Sequence, residues 1–142
     1  MAVVVDASAI AAIAFGEAEG PDLATHLAGQ TLLVPTLFDY ELANIAWKKA
    51  RRRPVARPLI AAALTAVGRL GLTRVRVPPA DAFRVASETG LTAYDASYLW
   101  LALVHDAELV TLDAALIRAA ARTNMVPGAG IEPARRLRDS GF

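Results

Sequence analysis

Four carboxylates are the residues of this chain best placed to do chemistry: Asp6 in VVVDASA, Glu41 in VPTLFDYELAN, Asp95 in GLTAYDASYLWLA and Asp113 in LVTLDAALI. Each stands at or near the start of an expected helix, and three follow an apolar strand-like run or a break between strand and loop. Acids scattered through a sequence but set at equivalent points of an alternating α/β fold can meet at one edge of a sheet. Like charges brought together at low dielectric repel strongly and cannot all stay ionised and dry. A divalent cation would relieve that repulsion, so the pattern points to metal-dependent chemistry on a phosphate. The chain has no cysteine, and neither His26 nor His105 lies near an acid pair at ligand spacing. An all-oxygen donor set suits Mg²⁺ or Mn²⁺ better than Zn²⁺. With no histidine or lysine among the candidates, a water activated by the metal would be the nucleophile.

Helix capping is the competing reading. Asp is a favoured N-cap, and acids in a first turn gain from the helix dipole. Taken one at a time, Asp6, Asp95 and Asp113 are better explained as caps than as ligands; Asp95 also follows Thr92 by three residues, a capping-box arrangement. Glu41 argues the other way, because it is expected about a turn and a half inside its helix. Asn44, Lys48 and Arg51 follow it at spacings of three, four and three, which puts a carboxylate, an amide and two cations on one face. A solvated face with an ion pair would give the same stripe. The basic run Lys48, Lys49, Arg51, Arg52 and Arg53 is either solvated or, sharing a helix with Glu41, a hold for a phosphate backbone. Trp47, immediately before it, is core or partner contact. Ser8 and Thr111 each lie two residues from an acid, where a hydroxyl could bond the carboxylate; ordinary helix-start and strand-end roles are equally open.

The elements that must position these groups alternate. Short apolar, β-branched runs predict strands at residues 2–5, 31–34, 74–77 and 109–112, with a short fifth at 124–126. Helices are predicted at 6–15, 21–28, 36–53, 59–70, 80–89, 92–106 and 113–122, with Thr36 and Asp39 as a capping-box variant and Pro54 and Pro58 as breaks. That alternation implies a mostly parallel sheet covered on both faces, with sites beyond the strands' carboxyl ends where strand order reverses. Asp6 and Asp113 would meet there.

A length of 142 residues predicts one domain, residues 1–142, with 128–142 a loosely ordered tail. Apolar residues make up 55% and charged residues 20%, so buried contacts with a partner or a second copy are expected. A net charge of +1 confines nucleic-acid binding to local patches. The absence of cysteine excludes disulfides and thiol chemistry and fits a reducing cytoplasm. No apolar run approaches membrane-spanning length, and Asp6 interrupts the N-terminal apolar stretch, which argues against a signal peptide.

Together the segments VVVDASA, VPTLFDYELANIAW, LTAYDASYLWLA and LVTLDAALIRAA resemble the PIN domain, most closely the VapC-like ribonuclease toxins of toxin–antitoxin modules. The resemblance runs from Val3 to about Val126. It implies a PIN-like three-layer α/β sandwich, with a small parallel sheet of four to five strands flanked by helices. It also implies that Asp6, Glu41, Asp95 and Asp113 bind Mg²⁺ or Mn²⁺ and cleave RNA, with Ser8 and Asn44 in their immediate surroundings; from the residues alone Thr111 is a further supporting candidate, and Lys48, Arg51 and Arg52 are the candidates for holding RNA. A cognate antitoxin, a homodimer, a cytoplasmic location and no membrane complete the expectation. The helical pair at residues 36–70 is the expected partner contact.

Rival folds fit less well. A receiver domain needs a lysine after its last strands, whereas Lys48 and Lys49 lie early. A haloacid dehalogenase-like phosphatase needs a DxD pair where this chain has Asp6-Ala7-Ser8, and no Gly-rich phosphate loop is present. An RNA-processing nuclease outside any toxin module, or a non-catalytic nucleic-acid-binding PIN-like module, stays open.

Overall fold

The computed structural model describes residues 1–123. Val3, Val4 and Val5 favour extended backbone and form strand β1 (Ala2–Val5), buried on both faces. After it come α1 (Ala7–Ala14), α2 (Gly20–Leu27), β2 (Thr31–Pro35) and α3 (Phe38–Arg52). A 3-10 turn (Pro54–Ala56), α4 (Arg57–Val67), β3 (Thr73–Val75) and α5 (Pro79–Thr89) follow, then α6 (Ala93–Val104), β4 (Glu108–Val110) and α7 (Ala114–Thr123).

The four strands are parallel in the order β3-β2-β1-β4, with Val4 opposite both Leu33 and Leu109. The chain builds outward from β1 through β2 to β3, then returns to place β4 on the other side of β1. Strand order therefore reverses between β1 and β4, where a crevice opens beyond the carboxyl ends. Asp6 leaves β1 at that point, and Thr111 to Asp113 leave β4.

Side-chain alternation along the strands divides the core in two. Val3 and Val5 pack with Ile10, Leu23, Phe38 and Leu42 beneath α1 to α4. Val4 and Leu33 pack with Val85, Leu99, Leu101 and Leu116 beneath α5 to α7. Each large apolar side chain fully removed from water stabilises by roughly 1.5–3 kcal/mol, which fixes the register that aims the strand ends. Helices α1 and α2 approach so closely at Gly20 that a Cβ there would sit 2.6 Å from the Ala12 carbonyl oxygen.

The expected three-layer architecture and all the expected elements within the described residues are present. Two local expectations fail. The Thr36–Asp39 capping box does not form: α3 begins at Phe38, with Leu37 at its N-cap and no side-chain cap bond. Asp39 is instead held in a fork by Arg74 of β3, Nε to Oδ2 at 2.6 Å and Nη2 to Oδ1 at 2.8 Å. Pro58 does not break the chain but lies in the first turn of α4, where a missing N–H leaves nothing unpaired. The expected strand at 124–126 and tail at 128–142 lie outside the described residues. Among the described residues no helix is long and apolar enough to cross a membrane.

Candidate active site

Asp6 anchors the crevice. Its N–H donates to the Val110 carbonyl at 2.9 Å, which ties the end of β1 to the end of β4. It occupies the N-cap position of α1, but its side chain makes no cap bond. Its Oδ2 instead accepts two hydroxyls, Ser8 Oγ at 2.7 Å and Thr111 Oγ1 at 2.8 Å. Each hydroxyl oxygen in turn accepts a backbone N–H: Leu112 donates to Ser8 at 3.1 Å and Asp113 to Thr111 at 3.0 Å. An amide N–H can only donate and a hydroxyl has one proton, so both relays run one way, from the loop after β4 into Asp6. They present Asp6 with donors only, which favours its ionised form. Burial, at 6% exposure, acts in the opposite sense. It pushes the carboxyl above its ordinary range, the bonds from Ser8, Thr111 and the Ala7 backbone oppose it, and the charge of Asp113 adds to the rise.

Glu41 is the fourth residue of α3, nearer the helix start than the sequence implied, yet it does not cap. Its Oε1 accepts the Tyr98 hydroxyl at 2.6 Å. Tyr98 is fully buried on α6 and was not singled out by the sequence reading. The available signal was its spacing: it follows Asp95 by three residues, on the same face of one helix. Burial first, then the charges of Asp6, Asp95 and Asp113, push Glu41 up to about 7 against the bond from Tyr98. Asp95 is also raised, by burial and then by Asp113 and Asp6, with Thr92 opposing. Thr92, not Asp95, caps α6, accepting the Asp95 N–H at 3.2 Å. Asp113 does act as a cap, its Oδ1 accepting the Leu116 N–H at 2.9 Å.

Four acids on separate elements thus lie within electrostatic reach of one another, and none makes a salt bridge among the described residues. They do not form a closed coordination shell: among the described residues no three acid, histidine or cysteine side chains surround one point as metal ligands. The chemistry of the donor set does fit a hard divalent cation. It is all carboxylate, and three of its members are raised by burial and mutual repulsion, which a cation would relieve.

The family model for the PIN domain matches residues 3–122. The chain belongs to the PIN-domain family. It is similar to Ribonuclease VapC3 of Pyrobaculum aerophilum, 37% identical over 119 residues covering 80% of this chain and 90% of the relative. The crystal structure of PAE2754 from the same organism superposes with a TM-score of 0.72 at 28% identity, covering 99% of this chain and 92% of that one. VapBC2 of Rickettsia felis, solved bound to a DNA fragment from its promoter, gives a TM-score of 0.57 at 13% identity, with 96% and 98% coverage, a likeness of fold alone. The expected VapC-like resemblance is borne out.

In this PIN domain the remaining candidates lie further along α3. Asn44 is exposed one turn beyond Glu41. Lys48, Arg51 and Arg52 are exposed at the far end of α3, roughly 10 to 17 Å along the axis from Glu41 at 1.5 Å per residue. The Arg51 guanidinium lies over the Trp47 ring, 4.6 Å from its centroid. His26 bonds Glu108 at 2.6 Å and ties α2 to the start of β4, away from the crevice.

Proposed function

We propose that this PIN domain is a metal-dependent endoribonuclease that hydrolyses RNA phosphodiester bonds as the toxin of a toxin–antitoxin pair. The observation that carries the reading is the gathering of Asp6, Glu41, Asp95 and Asp113 beyond the strand ends, where three of the four are raised by burial and by one another. The similarity to a protein named as a VapC ribonuclease supports RNA as substrate. The four acids would hold Mg²⁺ or Mn²⁺. Ser8 and Thr111 orient Asp6, Tyr98 orients Glu41, and Asn44 flanks the site. Lys48, Arg51 and Arg52 contact RNA phosphates further along α3. When bound, the cation supplies Lewis acidity to an attacking water and to the phosphate. Hydrolysis then adds water across the P–O bond, and the departing oxygen leaves with a proton.

An antitoxin protein is the proposed partner in a cytoplasmic setting, with a homodimer as the assembly. The α3–α4 pair within residues 36–70 is its contact. On one side of that pair a cavity of about 930 Å³ has Phe15, Leu59 and Ile60 in its lining and Lys49 and Arg52 among its cations, which suits an apolar segment carrying acids. Thermal unfolding with added Mn²⁺ tests the metal reading. The parent chain gains stability by mass action, about 2.7 kcal/mol at a hundredfold excess over Kd, and Asp95→Asn loses most of that gain. Equal response of both chains counts against a carboxylate metal site.

A further inference from the structure

Charge is strongly segregated in this nearly neutral chain. Between Leu42 and Ala80 the sequence contains no Asp or Glu but nine Lys or Arg residues. Five of these cations, Lys48, Arg51, Arg52, Arg53 and Arg57, lie at the end of α3, the 3-10 turn and the start of α4. All five are exposed, and none makes a salt bridge among the described residues. Next to Lys48 in sequence, Trp47 is 55% exposed even with the Arg51 guanidinium laid over it at 4.6 Å. Beside that stack a cavity of about 450 Å³ opens between α3 and α4, with Arg51, Pro54 and Arg57 in its lining.

From this placement we infer that Trp47 and Arg51 form a stacking platform for one unpaired base of the substrate strand where it runs along α3. The inference rests on the ribonuclease reading and assigns two residues outside the acidic site that hold the substrate. An exposed indole offers a π-face to any base, and a stacked guanidinium adds a flat cationic surface. Unpaired cations around it neutralise the backbone of the same strand. A paired helix buries its base faces and could offer this platform only phosphates. Trp47 lies about 9 Å along the α3 axis from Glu41, with Asn44 at a point between them and Lys48 just beyond. A protein partner at this face would need matching acids, and its apolar contact would have to displace the Arg51 lid.

The test uses the full, partner-free chain in EDTA, with RNA integrity checked on a gel. Fluorescence anisotropy measures binding of an unstructured A/U-rich RNA of about 12 nucleotides, within the site sizes of single-strand binders, and of the same sequence as a duplex. The single strand binds at least about tenfold tighter than the duplex; Trp47→Ala and Arg51→Ala each weaken it by about tenfold, as loss of one stacked base implies. Trp47→Phe, which keeps an aromatic face, retains most of the affinity and guards against a folding artefact. In a Trp100→Phe background, where Trp47 is the one tryptophan, the single strand quenches its emission to saturation. Unchanged affinity in folded Trp47→Ala, or equal binding of duplex, overturns the platform. So does loss of self-association or antitoxin binding in Trp47→Ala with RNA affinity intact. Cleavage with Mg²⁺ is scored separately: selective binding without cleavage keeps the platform and sinks the nuclease reading, and cleavage with Trp47-independent binding does the reverse.

Discussion

Glu41 makes the stability of the metal-free chain depend on pH in an unusual direction. Its carboxyl ionises near 4.5 when unfolded and is raised to about 7 in the fold, by burial first and then by three neighbouring acids. The folded state therefore binds the proton more tightly. That contribution is fully present below about pH 4.5 and is lost as pH rises through about 7. The interval corresponds to about 3 kcal/mol at 1.36 kcal/mol per pH unit; solvent screening of a half-buried group reduces it to about 2 kcal/mol. Asp6 and Asp95, also raised, act in the same direction. Urea unfolding in EDTA from pH 5 to 8 should show the parent losing stability as pH rises and Glu41→Gln losing about 2 kcal/mol less. Mg²⁺ or Mn²⁺ should flatten the parent curve. Parallel curves for parent and Glu41→Gln would refute the argument that repulsion and burial act on this residue.

The other expectations are more local. Thr111→Val removes a donor to Asp6 and the acceptor of the Asp113 N–H, so urea unfolding should register a loss of about 2 kcal/mol. Tyr98→Phe takes one hydrogen bond from Glu41, which is only partly buried and can turn to water; the cost is about 1 kcal/mol by the same assay, while thermal shift with Mn²⁺ persists. Gly20→Ala forces a Cβ against the Ala12 carbonyl and should cost about 1–3 kcal/mol, seen as a lower midpoint in thermal unfolding.

The parts of this fold that could be read from sequence are those set by local pattern. The valine run of β1 and the apolar runs of the other strands alternate with helical segments, and that alone implies a parallel sheet with its crevice at the strand ends. Asp6 and Asp113 could be placed there because each directly follows a strand or its exit loop. What could not be read depends on pairs distant in sequence. Asp39 looks like a capping residue until Arg74, 35 residues on, takes both its oxygens. Tyr98 looks like core in an apolar helix, and its partner Glu41 is 57 residues away. Ser8 and Thr111 were visible as neighbours of acids, but that both protons converge on one oxygen of Asp6 follows from the N–H groups behind them, which only the folded loop after β4 supplies.

The most direct test of the central claim is cleavage of total cellular RNA by the purified, partner-free chain, with and without Mg²⁺ or Mn²⁺, beside a folded Asp6→Asn variant. A metal-dependent ribonuclease gives discrete cleavage that needs the metal and falls at least about a hundredfold in the variant, the scale expected when a metal-holding, charge-stabilising group is lost. Equal cleavage by both chains, or cleavage that persists in EDTA, would contradict it.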